Sequence, residues 1–184
     1  MTELFPSAGR LSRGYEEEPV VQFFQEARRA YEGGASAEDI SFDEIRRAAF
    51  PLVRGGFDTR NVDAALSRLE TAFIQRDRAD YIAEHGEAAW FSKIADEATA
   101  LYPRLLRPAG DRFAHPEDRG IGYDCGQVDA LLDRLAAFFD DRGDLHEPDL
   151  RFALFDTARG ENAYVEAQVD AFLGKAMYVL LAVS

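Results

Sequence analysis

One phrase recurs four times in this chain, and it limits the possible folds more than any other feature. At 122–132 it reads GYDCGQVDALL, at 56–66 GFDTRNVDAAL, at 163–173 AYVEAQVDAFL and at 14–24 GYEEEPVVQFF. Each copy starts from an aromatic: Tyr15, Phe57, Tyr123 and Tyr164. Five residues on stand Val20, Val62, Val128 and Val169, and nine on stand Phe24, Leu66, Leu132 and Leu173. The i, i+4 step between those two positions is helical. The stripe continues through Leu69 and Phe73, through Leu131, Leu135 and Phe139, and through Phe172, Ala176 and Leu180. Each copy therefore predicts an amphipathic helix with one buried face.

The helix starts are written into the same phrase. Asp58 and Asp124 follow the aromatic and can accept a hydrogen bond from the first turn. Gln127, three residues after Asp124, fits a capping box; Asn61 only resembles one. Glu16 takes the cap position in the first copy, and Pro19 falls in the first turn, where proline is tolerated. Gly14, Gly56 and Gly122 precede the aromatic, which suits a close backbone approach or a positive φ. The fourth copy has Ala163 there. Shorter helices are expected ahead of the second and fourth copies, in SFDEIRRAAF and PDLRFALF; the first has a capping box in Ser41 and Glu44.

The copies alternate in kind, and their anchors are 42 residues apart from Tyr15 to Phe57 and 41 from Tyr123 to Tyr164. The expected fold is all-α: a single domain over 1–184 with four helix-loop-helix units at about 1–33, 40–76, 110–142 and 147–184. They form a duplicated two-unit block around a helical insertion at about 77–109. In that insertion Trp90, Phe91, Ile94, Ala98 and Leu101 share a side, Gly86 can break the helix, and Pro103 and Pro108 close it. No strand-length stretch alternates with period two.

A net charge of −13 argues against nucleic acid as a main partner and against a broad anionic membrane surface. The sole cysteine, Cys125, reads as a reduced, half-buried thiol rather than a nucleophile. The start MTELFPSAGRLSRGY has no apolar run, so no signal peptide is expected, and AMYVLLAV is too short to span a bilayer. His85, His115 and His146 have no metal-ligand spacing. No phosphate loop, dinucleotide fingerprint or nucleophile motif occurs, so no catalytic residue, cofactor or metal is expected, and no enzyme. Asp63, Asp129 and Asp170, one residue after each valine, read as solvated first-turn acids favoured by the helix dipole, with an acidic row for a partner or metal as the alternative.

With Arg13 before Gly14-Tyr15 and Val53-Arg54 before Gly56-Phe57, the phrases resemble the short N-terminal domain of DivIVA, a bacterial division-site and polar scaffold. The chain resembles bacterial proteins built from repeated DivIVA-like domains. The resemblance implies a protein-interaction module of the division or polar-growth machinery, cytoplasmic and placed at poles or septum. It also implies a loop in which an apolar residue beside an arginine touches partner or membrane. Position by position, Arg13 matches that arginine, with Ser12 before it and Leu11 one step away. In the second copy Gly55 is aligned, with Val53 and Arg54 displaced, and the third has Ile121 and the fourth Asn162. Leu11, Arg13, Val53, Arg54 and Ile121 are thus the candidate contact residues, and membrane contact is at most peripheral. Gly14, Tyr15, Gly56, Phe57, Asp58, Gly122, Tyr123, Asp124 and Tyr164 are the structural positions of the phrase. Without the scaffold's heptad coiled coil, two units in one chain can bury their stripes internally, giving a monomer or homodimer. The alternative is an all-helical cytoplasmic protein that keeps the phrase as packing and binds an unrelated partner or small ligand.

Overall fold

The computed structural model describes residues 4–33 and 40–183. The chain divides into two compact units, unit 1 over 1–80 and unit 2 over 81–184.

Unit 1 opens with strand β1 (Arg13–Tyr15) and helix α1 (Glu17–Tyr31), then a short helix α2 (Phe42–Arg46) and strand β2 (Leu52–Arg54). Helix α3 (Thr59–His85) follows, its last residues from Tyr81 belonging to unit 2. Unit 2 continues with α4 (Glu87–Thr99), α5 (Tyr102–Leu105), β3 (Ile121–Asp124), α6 (Cys125–Phe139), α7 (Glu147–Arg151), β4 (Thr157–Arg159), β5 (Ala163–Tyr164) and α8 (Glu166–Ala182).

The fold is therefore not all-α with four helix-loop-helix units. It mixes helices with two small antiparallel sheets, β1-β2 in unit 1 and β4-β3-β5 in unit 2. The segments read as glycine-bearing loops are strands. They run for two to four residues each, too short for period-two alternation to register. Two other expectations also change. Helix α3 runs for 27 residues, far into the stretch read as an insertion, and ends only where Gly86 turns to φ 86°. Pro103 does not close a helix but sits in the first turn of α5, where its missing N–H has no intrahelical role.

The helical stripes form the cores. In unit 1, Val20, Ala27 and Ala30 of α1 meet Ile45, Phe57, Val62, Leu66 and Phe73. Each large side chain so buried contributes about 1.5–3 kcal/mol. Phe5 joins them, edge-on to both Phe24 and Phe57. Arg76 of α3 donates to the Ala30 carbonyl at 2.8 Å, tying α3 to the end of α1. In unit 2, α8 buries Val169, Phe172, Leu173, Ala176, Met177 and Leu180, and α6 buries Val128, Leu131, Leu132 and Leu135. Trp90 and Ile94 of α4 are buried as expected, whereas Phe91 is exposed.

The expected capping box at Ser41 and Glu44 forms. At α6, Asp124 accepts from the Gln127 N–H at 2.9 Å, but the Gln127 side chain turns away. It donates to Asp156 Oδ2 at 2.7 Å and accepts from the Asp156 N–H at 2.8 Å. Gln127 thus ties α6 to the loop ahead of β4 instead of completing a capping box.

Candidate interaction site

The backbone crossing at the centre of each unit positions everything else. In unit 1, β1 pairs with β2 as Arg13↔Arg54, Gly14↔Val53 and Tyr15↔Leu52. On its other side Tyr15 exchanges both backbone hydrogen bonds with Phe57, at 2.9 and 2.8 Å. Here the glycines are required. A Cβ on Gly14 would lie 2.3 Å from the Phe57 carbonyl oxygen, and one on Gly56 2.3 Å from that of Tyr15. In unit 2, a Cβ on Gly122 would lie 2.0 Å from the Tyr164 carbonyl oxygen. The close approach expected of these glycines is made by one strand passing another.

Unit 2 repeats the register. Ile121↔Arg159, Gly122↔Ala158 and Tyr123↔Thr157 pair on one side of β3, and Tyr123↔Tyr164 on the other. Flanking bonds match as well. Gly55 N–H donates to Ser12 and Glu16 N–H to Pro51, as Gly160 N–H does to Gly120 and Asp124 N–H to Asp156. One bond is replaced. Ala8 N–H donates to the Gly56 carbonyl in unit 1. The matching position in unit 2 is Pro116, which has no N–H. There His115 Nδ1 lies 2.8 Å from the Ala163 carbonyl oxygen, and since a carbonyl only accepts, Nδ1 carries the proton.

The flanking bonds make Gly14↔Val53 a hydrogen-bonded pair and Arg13↔Arg54 a non-hydrogen-bonded one, in which the side chains share a face and lie closest. So Leu11, Arg13, Val53 and Arg54, drawn from two separate segments, meet on one ribbon. Arg10, Arg13 and Arg54 are exposed, Leu11 is 97% exposed at the turn and Leu52 is also exposed. Neither 4–15 nor 51–57 contains an acid, in a chain of net charge −13. Ile121, the fifth candidate, stands in unit 2 at the position that Arg13 holds in unit 1, and is exposed opposite Arg159.

The remaining positions of the phrase are structural. Asp58 Oδ1 accepts from the backbone and side chain of Asn61 at the start of α3. Tyr15 packs edge-on to Phe50 and Tyr123 against Phe155. The aspartates after the valines read as solvated; Asp170 is exposed, whereas Asp63 is half-buried and Asp129 buried, and each lies beside a tyrosine hydroxyl. Tyr15 donates to Asp63 and Tyr123 to Asp170. Burial, then the neighbouring carboxylates, push both tyrosines up. Tyr164 donates to Asp129 at 3.1 Å.

That last pair belongs to a buried network. The Tyr164 hydroxyl accepts from Arg112 N–H at 3.1 Å, and Asp129 Oδ2 accepts from Gly110 N–H at 2.7 Å. The Arg112 guanidinium donates to the Asp129 carbonyl at 2.9 Å and pairs with Asp133. Arg112 and Asp129 are each 6% exposed. The network clasps the 107–113 segment onto α6, and its members satisfy one another. Burial pushes Tyr164 up to about 12 and Cys125 to about 11. A thiol so raised stays protonated near neutral pH, which opposes a nucleophilic role. Sequence reasoning missed this cluster; its one readable sign was an aspartate shared by the second, third and fourth copies and replaced by Val21 in the first.

Among the described residues no group of three His, Cys, Asp or Glu is arranged to hold a metal ion, and no helix is long and apolar enough to cross a membrane. The chain matches no protein-family model, no curated protein and no solved structure.

Proposed function

We propose that this chain is a non-enzymatic interaction module that docks a protein partner through the β1–β2 ribbon of unit 1. The observation that carries the reading is the convergence of Leu11, Arg13, Val53 and Arg54 on that ribbon. Apolar and cationic groups stand together there with no acid in either strand segment, a combination suited to partner contact. The resemblance to DivIVA-like domains points to a partner in the bacterial division or polar-growth machinery.

The test is a fluorescent fusion expressed at native level in a bacterium that carries the protein. Foci at poles or septa are expected, and they should disperse in Leu11→Ser and Arg54→Gln variants whose thermal unfolding is unchanged. A diffuse wild-type signal from intact fusion would defeat the division reading.

A second reading has an observation in its favour. The glycines, aromatics and aspartates of the recurring phrase are engaged in packing in both units. A protein that keeps the phrase as a packing device and binds an unrelated partner fits that equally. Foci that survive both ribbon variants would favour it.

A further inference from the structure

We propose that Arg13 and Arg54 form a receptor for a phosphate monoester carried on an extended segment of the partner, an inference that rests on the ribbon being the docking site.

The pair is not needed by the fold. Unit 2 builds the same non-hydrogen-bonded pair from Ile121 and Arg159. Like charges directly opposite on a ribbon repel, so the second arginine works against β1–β2 pairing in the free protein. No acid compensates. Among the described residues no carboxylate forms an ion pair with Arg13 or Arg54. Arg10, exposed at the adjacent turn, adds a third cation.

The form of the pair selects its ligand. Two guanidinium forks leave one face of the ribbon together. A single carboxylate carries one charge and fills one fork. A phosphate monoester carries about −1.5 to −2 at neutral pH and offers three acceptor oxygens, so it can occupy both. Exposed Leu52, two residues from Arg54 on the same face, gives apolar contact to a neighbouring side chain. Among the described residues strand β2 pairs only with β1, and in this register the backbone groups of Leu52 and Arg54 point outward, open to an extended segment. Pro51 and Gly55 bound that edge, so the paired stretch is short.

Charge favours a phosphorylated segment over a membrane. Glu16, Glu17 and Glu18 are exposed immediately after β1, and the chain carries −13 overall. A planar anionic surface would meet those acids, whereas one phosphate on a flexible segment need not.

The probe is a labelled, otherwise neutral peptide containing one phosphoserine, titrated into the full chain and followed by fluorescence anisotropy. Saturable binding is expected, with the serine and aspartate versions of the peptide at least about tenfold weaker, as loss of a charge-assisted hydrogen bond implies. Arg13→Ile and Arg54→Gln should each weaken the phosphopeptide by about the same factor without altering thermal unfolding. Arg54→Lys should recover only part, because it restores the charge without the fork. Equal binding of the aspartate and phosphoserine peptides would overturn the proposal. So would phosphopeptide binding that survives Arg54→Gln, or no phosphopeptide binding alongside co-sedimentation with phosphatidylcholine–phosphatidylglycerol vesicles. If the peptide fails while Arg54→Gln still disperses the fusion, the phosphate inference falls and the docking reading stands. If the peptide binds while the fusion is indifferent to the ribbon, the docking reading falls.

Discussion

In unit 1 the residue that crosses Tyr15 is Phe57; in unit 2 the residue that crosses Tyr123 is Tyr164. That one hydroxyl changes everything packed around it. Phe57 sits edge-on to Phe5 in an apolar cluster, with Val21 at the position that Asp129 holds in unit 2. Tyr164 keeps the matching ring contact, with Phe113 at 5.3 Å, and adds the Arg112 N–H, Asp129 and, through Asp129, Gly110. The backbone register is nevertheless the same. Pairing here is dictated by the close approach of main chains at Gly14 and Gly122, and the side chains around it can change polarity provided that they change together. An unmatched hydroxyl or carboxylate in such a core would be left without a partner.

The comparison breaks most directly at the shared part. Gly122→Ala forces a Cβ to within 2.0 Å of a backbone oxygen, and Gly14→Ala to within 2.3 Å. Backbone cannot swing aside as a flexible side chain does. Each substitution should destabilise its unit by about 3 kcal/mol or more, by the cost of overpacking a closed site. Urea unfolding checks this, and Trp90 fluorescence reads unit 2. If Gly122→Ala were tolerated, the crossing would not be what sets the register.

The side chains that differ come next. Tyr164→Phe gives unit 2 the ring of unit 1 but leaves Asp129 and the Arg112 N–H each short of a partner, at a cost of about 2 kcal/mol. Phe57→Tyr makes the reverse exchange, placing a hydroxyl where the neighbouring chain offers Val21, and should cost about as much. Opposite changes with the same sign would show that the pairs are matched as pairs. A harmless Phe57→Tyr would mean that the hydroxyl finds a partner there.

Tyr164 also predicts a pH dependence. Its folded pKa is raised to about 12, against about 10 in an unfolded chain. Between those values the folded state holds a proton that the unfolded state has released. Stability is then fully present below about pH 10 and falls as pH rises towards 12. Tyr164→Phe should flatten that fall in the unfolding midpoint read by Trp90. Tyr123 of the same unit is raised by burial and neighbouring carboxylates, so some slope should remain.

A smaller effect lies at low pH in unit 1. Burial first, then the nearby Asp58, push the Asp63 carboxyl up, against the opposing pull of the Tyr15 hydroxyl. A raised acid is held protonated more tightly by the folded chain. Its contribution is therefore largest below the ordinary carboxylate range and is lost as pH rises through the raised value. Asp63→Asn keeps an acceptor for Tyr15 and removes the charge. It should remove the stability that Asp63 adds as pH falls, leaving a steeper loss in acid, and slightly raise stability at neutral pH. A strong loss at neutral pH would show that the charge itself holds Tyr15.

Helices were legible where their stripes were long. Val62-Leu66-Phe73 and Val128-Leu132-Leu135 are buried as their spacing required, and α2 begins at its Ser41–Glu44 box. The strands were not legible, because two to four residues carry no period. Gly14 and Gly122 showed that something passes close, but not that it is another strand. The roles of Asp63 and Asp129 depend on a tyrosine that arrives from a different segment, so a helix-start acid was the local reading and the wrong one. The ribbon was half visible. Leu11, Arg13, Val53 and Arg54 could be singled out one by one, but only the register shows that Arg13 faces Arg54.

That pairing supports the smallest change in stability and the sharpest contrast between the units. Arg13→Ile gives unit 1 the pair that unit 2 already carries in Ile121↔Arg159. It removes a like-charge repulsion from an exposed ribbon and adds a β-branched residue suited to a strand. Thermal unfolding should stay where it is or rise slightly, while contact with an anionic partner is lost. If unfolding instead drops sharply, Arg13 holds the ribbon through a contact of its own, and the difference between the two units would lie in how each tip is built rather than in what each tip binds.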